Sequence, residues 1–225
     1  MKKLFFILFV GVFTFSCSSD DSSGPALSDT PQAKVEFDNS NFGIYKGVFI
    51  GSSGTVLINI NNDGFLEAIL KIGGSTSIYT STETATLNSA MAGLTFTNGS
   101  NSFDFSVTAN GGDPTVSNIS ISGHPNATIK VLKEFHNVLA KVYLGSYSGD
   151  DSGTFNVVIV DDVINGCAGS SESGTVNVNG SYIGTSLTGT FEGGGFSGTS
   201  SGNRISGSWV NDLGESGSWS GTRKL

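Results

Sequence analysis

The stretch Ile205–Gly221, ISGSWVNDLGESGSWSG, decides the fold. Ile205, Gly207 and Trp209 alternate with Ser206 and Ser208. Beyond the turn signal Asn211-Asp212-Leu213-Gly214, the residues Gly217, Trp219 and Gly221 alternate with Ser218 and Ser220. Successive strand side chains point to opposite faces, so this is a hairpin with a hydroxyl face and a face of alternating large and small residues. Interior positions of small barrels alternate in that way so that side chains fit the taper. Closure would also remove the edges that a Gly-rich sheet otherwise exposes. The expectation is an all-β antiparallel meander, barrel-like, with an open sandwich as the alternative that shows the same alternation.

Working outward, the pattern recurs. YKGVFIGSSGTVLINI from Tyr45 lies over YLGSYSGDDSGTFNVVI from Tyr143. Tyr45, Gly47, Phe49, Gly51, Gly54 and Thr55 fall on Tyr143, Gly145, Tyr147, Gly149, Gly153 and Thr154, with one residue inserted in the second copy. Self-similarity that includes aromatic and threonine positions points to an internally duplicated pair of domains.

The first copy predicts strands near Ile44–Ile50, Thr55–Asn61, Phe65–Ile72, Leu94–Thr97, Ser102–Thr108, Val116–Ser122 and Thr128–Leu132. The second predicts Val142–Ser148, Thr154–Val160, Gly174–Val178, Tyr182–Thr190, Gly195–Thr199, Arg204–Val210 and Ser216–Thr222. This places a first β-domain at 34–132 and a second at 142–225. Between them, Leu132, Phe135, His136, Leu139 and Val142 recur at helical spacing. Residues 133–141 are therefore read as a linker, either one short helix or a continuing strand.

The N-terminus gives an address. Met1-Lys2-Lys3 precedes an apolar run, Leu4–Phe15, of 12 residues. A bilayer-spanning helix needs about 20, so residues 1–16 read as a secretory signal peptide. Thr14-Phe15-Ser16-Cys17 resembles the lipobox of bacterial lipoproteins, relaxed in having Thr14 where leucine is usual, as in Bacteroidetes. The resemblance implies cleavage between Ser16 and Cys17 and acylation of Cys17. Ser18-Ser19-Asp20-Asp21 resembles the acidic signal that sends such lipoproteins to the outer face of the outer membrane. At about 0.8 kcal/mol per buried methylene, two or three acyl chains make a stable anchor. Residues 17–33 then form a lipidated, flexible tether, too polar to offset its chain entropy by burial.

Loss of Lys2 and Lys3 with the leader lowers the formal charge from −8 to −10. Nucleic acid and anionic lipid are disfavoured, because phosphate contacts need Lys and Arg. With Cys17 acylated, Cys167 has no partner left for a disulfide. The pattern Y-x-G-x-Y-x-G, G-T-F, I-S-G-S-W and G-S-W-S-G-T-R, over Tyr143–Arg223, resembles Gly/Ser-rich β-meander domains of bacterial lipoproteins, a group with no settled activity.

Motifs of chemistry fail on context. Gly198–Gly202 fits G-x-S-x-G around Ser200, yet that nucleophile needs a strand-to-helix turn and a histidine base. Gly193–Gly198 fits G-x-G-x-x-G but has no helix to receive a pyrophosphate. His124 sits in the turn signal GHPN and His136 in the linker, neither near Cys167 in sequence. The pairs Asp150-Asp151 and Asp161-Asp162 fall at opposite ends of one strand, roughly 30 Å apart. Each would need help from Asn165 or Glu172 to hold calcium. No catalytic residue, metal ligand or cofactor is assigned. The expected function is a lipid-anchored, non-catalytic binding or scaffold module for a glycan or protein ligand, with Tyr79 and Tyr182 as candidate stacking rings. The alternative is an inhibitor or accessory subunit of a secreted enzyme or outer-membrane transporter; a hydrolase is disfavoured.

Overall fold

Every residue of the first strand, β1 (Gly43–Ile50), is buried. A barrel wall with one face in water buries every second residue; burying both faces requires a second layer outside it. That layer is the other half of the chain. The structure is a computed structural model and describes residues 27–170 and 174–225. The leader, Ser16, Cys17 and the Ser18–Asp21 signal lie outside the described residues, as does Glu172.

The first sheet runs through β2 (Gly54–Ile60), β3 (Leu66–Ile72), β4 (Ser75–Thr80), β5 (Met91–Asn98), β6 (Asn101–Val107), β7 (Thr115–Ser120) and β8 (Thr128–Lys133). It is an antiparallel meander in which β8 returns to pair with β1. Strands β7 and β8 lie side by side without ladder hydrogen bonds, so this barrel is nearly closed. The second sheet comprises β9 (Lys141–Gly149), β10 (Gly153–Val160), β11 (Val163–Ser170), β12 (Gly174–Ile183), β13 (Ser186–Phe191), β14 (Gly194–Ser201), β15 (Arg204–Asn211) and β16 (Ser216–Arg223). Here β16 pairs with β9 and the barrel is fully closed.

The duplication holds residue by residue. Phe49 pairs with Gly54 as Tyr147 pairs with Gly153. Gly47 faces Val131 on β8, and Gly145 faces Gly221 on β16. A β-carbon at either glycine would collide with the closing strand's backbone, at the carbonyl of Lys130 or of Ser220. Both barrels therefore need glycine where the last strand meets the first.

The interiors differ. The first barrel is filled by Tyr45, Phe49, Tyr79, Phe96, Phe103 and Phe105, all fully buried, together with Val56, Ile58, Ile60 and Leu70. Each such side chain contributes about 1.5–3 kcal/mol. In the second barrel the inward register alternates ring and glycine. Gly207 stands opposite Trp219, Gly217 opposite Trp209, and Gly189 opposite Phe196. The outward register of β14 to β16 carries Ser197, Thr199, Ser206, Ser208, Ser218, Ser220 and Thr222. A lipid-spanning barrel presents an apolar band there; this one presents hydroxyls.

A third core joins the barrels. Val48 and Ile50 on the outer face of β1 meet Val142, Val158, Val160 and Cys167 of the second barrel, with Ala140 between them. Phe135 and Val138 pack against the same cluster. They bridge each other around a tight turn at His136 and Asn137. The helix allowed for residues 133–141 is therefore not formed: asparagine favours the turn, and a turn lets both apolar residues reach the cluster. Beside it, Lys46 and Glu134 form a buried ion pair at 2.6 Å, with side chains 4% and 0% exposed. Glu134 also accepts from the backbone N–H groups of Gln32 (2.7 Å) and Ala140 (3.0 Å).

Part of the expected tether is structured. Lys34 N–H donates to Asn62, whose side chain donates to the Gln32 carbonyl. Arg223 holds the Asp29 carboxylate at 2.6 Å and also donates to the Ser28 carbonyl. Residues 28–34 thus run along the base of both barrels rather than free of them.

Candidate functional site

The rings of the second barrel do not fill it. A cavity of about 470 Å³ opens at the end formed by the turns β9–β10, β13–β14 and β15–β16. Its wall is apolar: Phe155, Val178, Phe191, Phe196, Trp209 and Trp219. Drug-sized ligands occupy pockets of about 300–1,000 Å³. Eight-stranded barrels either fill with side chains or keep room for one small ligand, and here the two copies have taken the two courses.

The rings of the wall brace one another. Phe155 lies against Trp219 with ring centroids 4.9 Å apart, and Phe196 meets both edge-on. Tyr147 meets Trp209 edge-on at 5.9 Å. The indole N–H groups are used: Trp209 donates to the Ser148 carbonyl at 3.2 Å and Trp219 to the Ser208 carbonyl at 3.1 Å. Glycine makes the room. A β-carbon at Gly198 would stand 2.5 Å from the Trp219 ring, and one at Gly217 would stand 2.6 Å from the Trp209 nitrogen. Both tryptophans are buried, 8% and 3% exposed.

The mouth is acidic. Asp151, Glu192, Asp212 and Glu215 all line it. Asp151 accepts from the Ser152 N–H at 2.6 Å, from the Ser170 hydroxyl at 3.0 Å and from the Tyr147 hydroxyl at 3.1 Å. Burial pushes the Tyr147 phenol above its ordinary pKa, so that it stays a donor. Glu215 accepts from the Asn211 side-chain amide at 2.7 Å. The Asp212 N–H donates to the Gly193 carbonyl, tying the turns that carry Asp212 and Glu192 together. At the tip between them Leu213 is 85% exposed.

Other residues singled out by sequence fall elsewhere. Tyr79 is a core ring of the first barrel, tilted against Phe103, and no loop-tip platform. Tyr182 faces inward at the opposite end of the second barrel, its hydroxyl 2.9 Å from Ser200 Oγ. The same contact occupies Ser200, on a strand with no helix after it. His136 pairs with Asp38 at 2.5 Å. Partial burial works against the charge on Asp38, but its bonds to the His136 backbone and ring hold its carboxyl below the usual range. His124 Nδ1 lies 3.1 Å from Ser52 Oγ, with the ring against Phe49; no carboxylate among the described residues orients the other ring nitrogen. Asp150 is engaged by the Ser216 N–H, and Asp161-Asp162 form the turn at the far end of β10. Among the described residues no three His, Cys, Asp or Glu converge on a metal position. Cys167 is buried between the barrels, and burial pushes its thiol pKa up, away from reactivity.

The cavity was missed in the sequence although its signal was present. Inward glycines crowd the second copy, whereas the first carries Val, Ile, Leu and Phe at the corresponding faces. Compared with known proteins, the chain matches no family model and no curated protein.

Proposed function

We propose that the protein is a lipid-anchored binding module, held through Cys17 on the outer face of the outer membrane. In this reading its second barrel takes up a small, largely apolar ligand and its first barrel serves as a solid support. One observation carries this: a ring-lined cavity of about 470 Å³ in one copy of a duplicated barrel whose other copy is filled. The apolar wall moves the expected ligand from a glycan to a molecule with an apolar body. A glycan site would set hydroxyl-binding amides and carboxylates deep in the pocket, whereas here the carboxylates stop at the rim.

Trp209 and Trp219 are the only tryptophans of the chain, so intrinsic fluorescence reports on the cavity directly. Titration with 1-naphthalenemethanol should shift the emission saturably. Val176→Phe, which fills the cavity near its mouth, should weaken binding at least tenfold. Absence of saturable binding to the wild type, by this alcohol and by its amine and carboxylate analogues alike, overturns the reading. The address is tested separately: the native chain should partition into detergent and Cys17→Ala should not. Replacing Asp20 and Asp21 by Ala should lower surface exposure in protease shaving while keeping the anchor.

A second reading, an inhibitor or accessory subunit, is favoured by Leu213 and Val210, exposed apolar side chains at the mouth. Pull-down with Leu213→Asp against wild type would separate it from small-molecule uptake.

A further inference from the structure

The second barrel keeps its cations at one end, which they share with the turn carboxylates Asp161 and Asp162. Its four cationic side chains, Lys141, Arg204, Arg223 and Lys224, all stand at strand ends of the base, opposite the cavity. Asp151, Glu192, Asp212 and Glu215 line the mouth, and Asp150 lies beside them; among the described residues no Lys, Arg or His lines the cavity. A cleft with one sign of charge and low-dielectric walls focuses its field and raises the local concentration of the opposite charge. Within, Trp209, Trp219 and Tyr147 are among the lining side chains, and aromatic rings of this kind attract cations through their quadrupole.

We infer that the ligand of this cavity is an apolar monocation, an amine with a flat hydrocarbon or aromatic body, seated with its body among the rings and its ammonium at the carboxylate rim. This rests on the cavity being a binding site and names the class of molecule it takes. The dimensions agree, since a fused bicyclic body with a one-carbon arm fits the volume. An anion of the same shape would meet four carboxylates while losing its water. A neutral analogue gains the wall but not the rim. Asp151 is held in place at the rim by the Ser152 N–H and by the hydroxyls of Ser170 and Tyr147. Glu192 and Asp212 are brought to one side of the mouth by the bond between their turns.

The test uses three molecules of one skeleton: 1-naphthylmethylamine, 1-naphthalenemethanol and 1-naphthoate, titrated calorimetrically into the mature chain at neutral pH. The amine should bind at least tenfold tighter than the alcohol, and the naphthoate weakest. The amine's advantage should shrink as salt rises from 20 to about 300 mM, because a rim charge is screened. In a triple variant, Glu192→Gln, Asp212→Asn and Glu215→Gln, the amine-to-alcohol ratio should fall toward one. If alcohol or naphthoate matches the amine, the charge inference is overturned while the cavity stands. If none of the three binds, the binding reading beneath it falls too.

Discussion

Arg223 and Asp29, 194 positions apart, are joined at 2.6 Å at the base of the second barrel. The guanidinium is buried and the carboxylate 86% exposed, so the two partners carry unequal weight. An exposed ion-pair partner contributes about 0–1 kcal/mol, and Asp29→Ala should lower stability by no more than that. Arg223→Ala also removes the contact to the Ser28 carbonyl and empties space at the barrel base. It should free residues 28–34, seen as at least tenfold faster trypsin cleavage after Lys34. Equal cleavage rates in wild type and variant would show that Asn62 and Glu134 alone hold the segment.

The same contact gives the barrel a direction. The chain arrives at the base, and the cavity opens at the other end. A lipid on Cys17 would therefore hold the mouth away from the membrane. Leu213→Cys, at the exposed tip of the mouth, should react on intact cells with a membrane-impermeant maleimide. Cys167 is buried and should give little background. Labelling that requires permeabilised cells would contradict the outward orientation.

Glu134 is the polar centre of the junction. Breaking a buried ion pair costs about 3–5 kcal/mol, because it leaves one charge unpaired in a dry site. Glu134→Ala should reach that range in urea unfolding, since Lys46 then has no counter-ion and two N–H groups lose their acceptor. Replacing the pair together, Lys46→Met with Glu134→Leu, should recover most of the loss. A double variant as unstable as the single one would mean that the N–H acceptors, and not the charge, dominate.

Alkaline pH should stabilise the fold before it destabilises it. Burial pushes the Lys133 ammonium down to about 8 from an ordinary 10.5, against a smaller opposing pull from Asp38. Between those values the unfolded chain holds a proton that the native protein has released, so stability rises with pH, by at most ~1.4 kcal/mol per unit. Burial raises the phenols of Tyr45, Tyr79, Tyr143 and Tyr147. Their stabilisation, present below the ordinary value near 10, is lost above it as the unfolded chain ionises first. Urea midpoints should climb from pH 8 toward 10 and then fall. Lys133→Met should abolish the climb and keep the fall; an unchanged climb would assign it to another group.

Much of this fold was legible because period two is a strong signal where one face is wet. Trp209 and Trp219 alternating with serine gave the inward register of the second barrel, and the Tyr45–Tyr143 alignment gave the duplication. Strand β11 was missed because neither of its faces is distinct: Gly166, Ala168 and Ser170 point in, while Asn165, Cys167 and Gly169 point out. Strand β4, nearly all Ser and Thr outside Ile78 and Tyr79, was missed for want of apolar residues. Strands β12 and β13 were divided too early, their turn lying at Gly184-Thr185. The contact between barrels had a signal that alternation obscures, the continuous runs Gly47–Ile50 and Val157–Val160. The cavity depends on how far rings reach across a closed sheet, which spacing along one strand does not encode.

That interface bears on whether the second copy can stand alone. Its own cluster, with Tyr143, Val157, Ile164, Leu187, Ile205 and the two tryptophans, is complete within residues 141–225, and its sheet is closed. Separation would still expose Val142, Val158, Val160 and Cys167, now covered by Val48 and Ile50. A contiguous apolar patch of this kind promotes association. The fragment 141–225 is therefore expected to melt cooperatively with a β-type circular dichroism spectrum, yet to dimerise or aggregate at concentrations where the full mature chain stays monomeric. Val158→Thr with Val160→Thr should restore a monomer in the fragment. In the full chain the same pair should cost roughly 2–4 kcal/mol, because two hydroxyls replace methyl groups at a dry contact. A fragment that shows no cooperative melt, with or without the threonines, would mean that the barrels fold only against each other. A wild-type fragment that stays monomeric and stable would mean that the third core adds little.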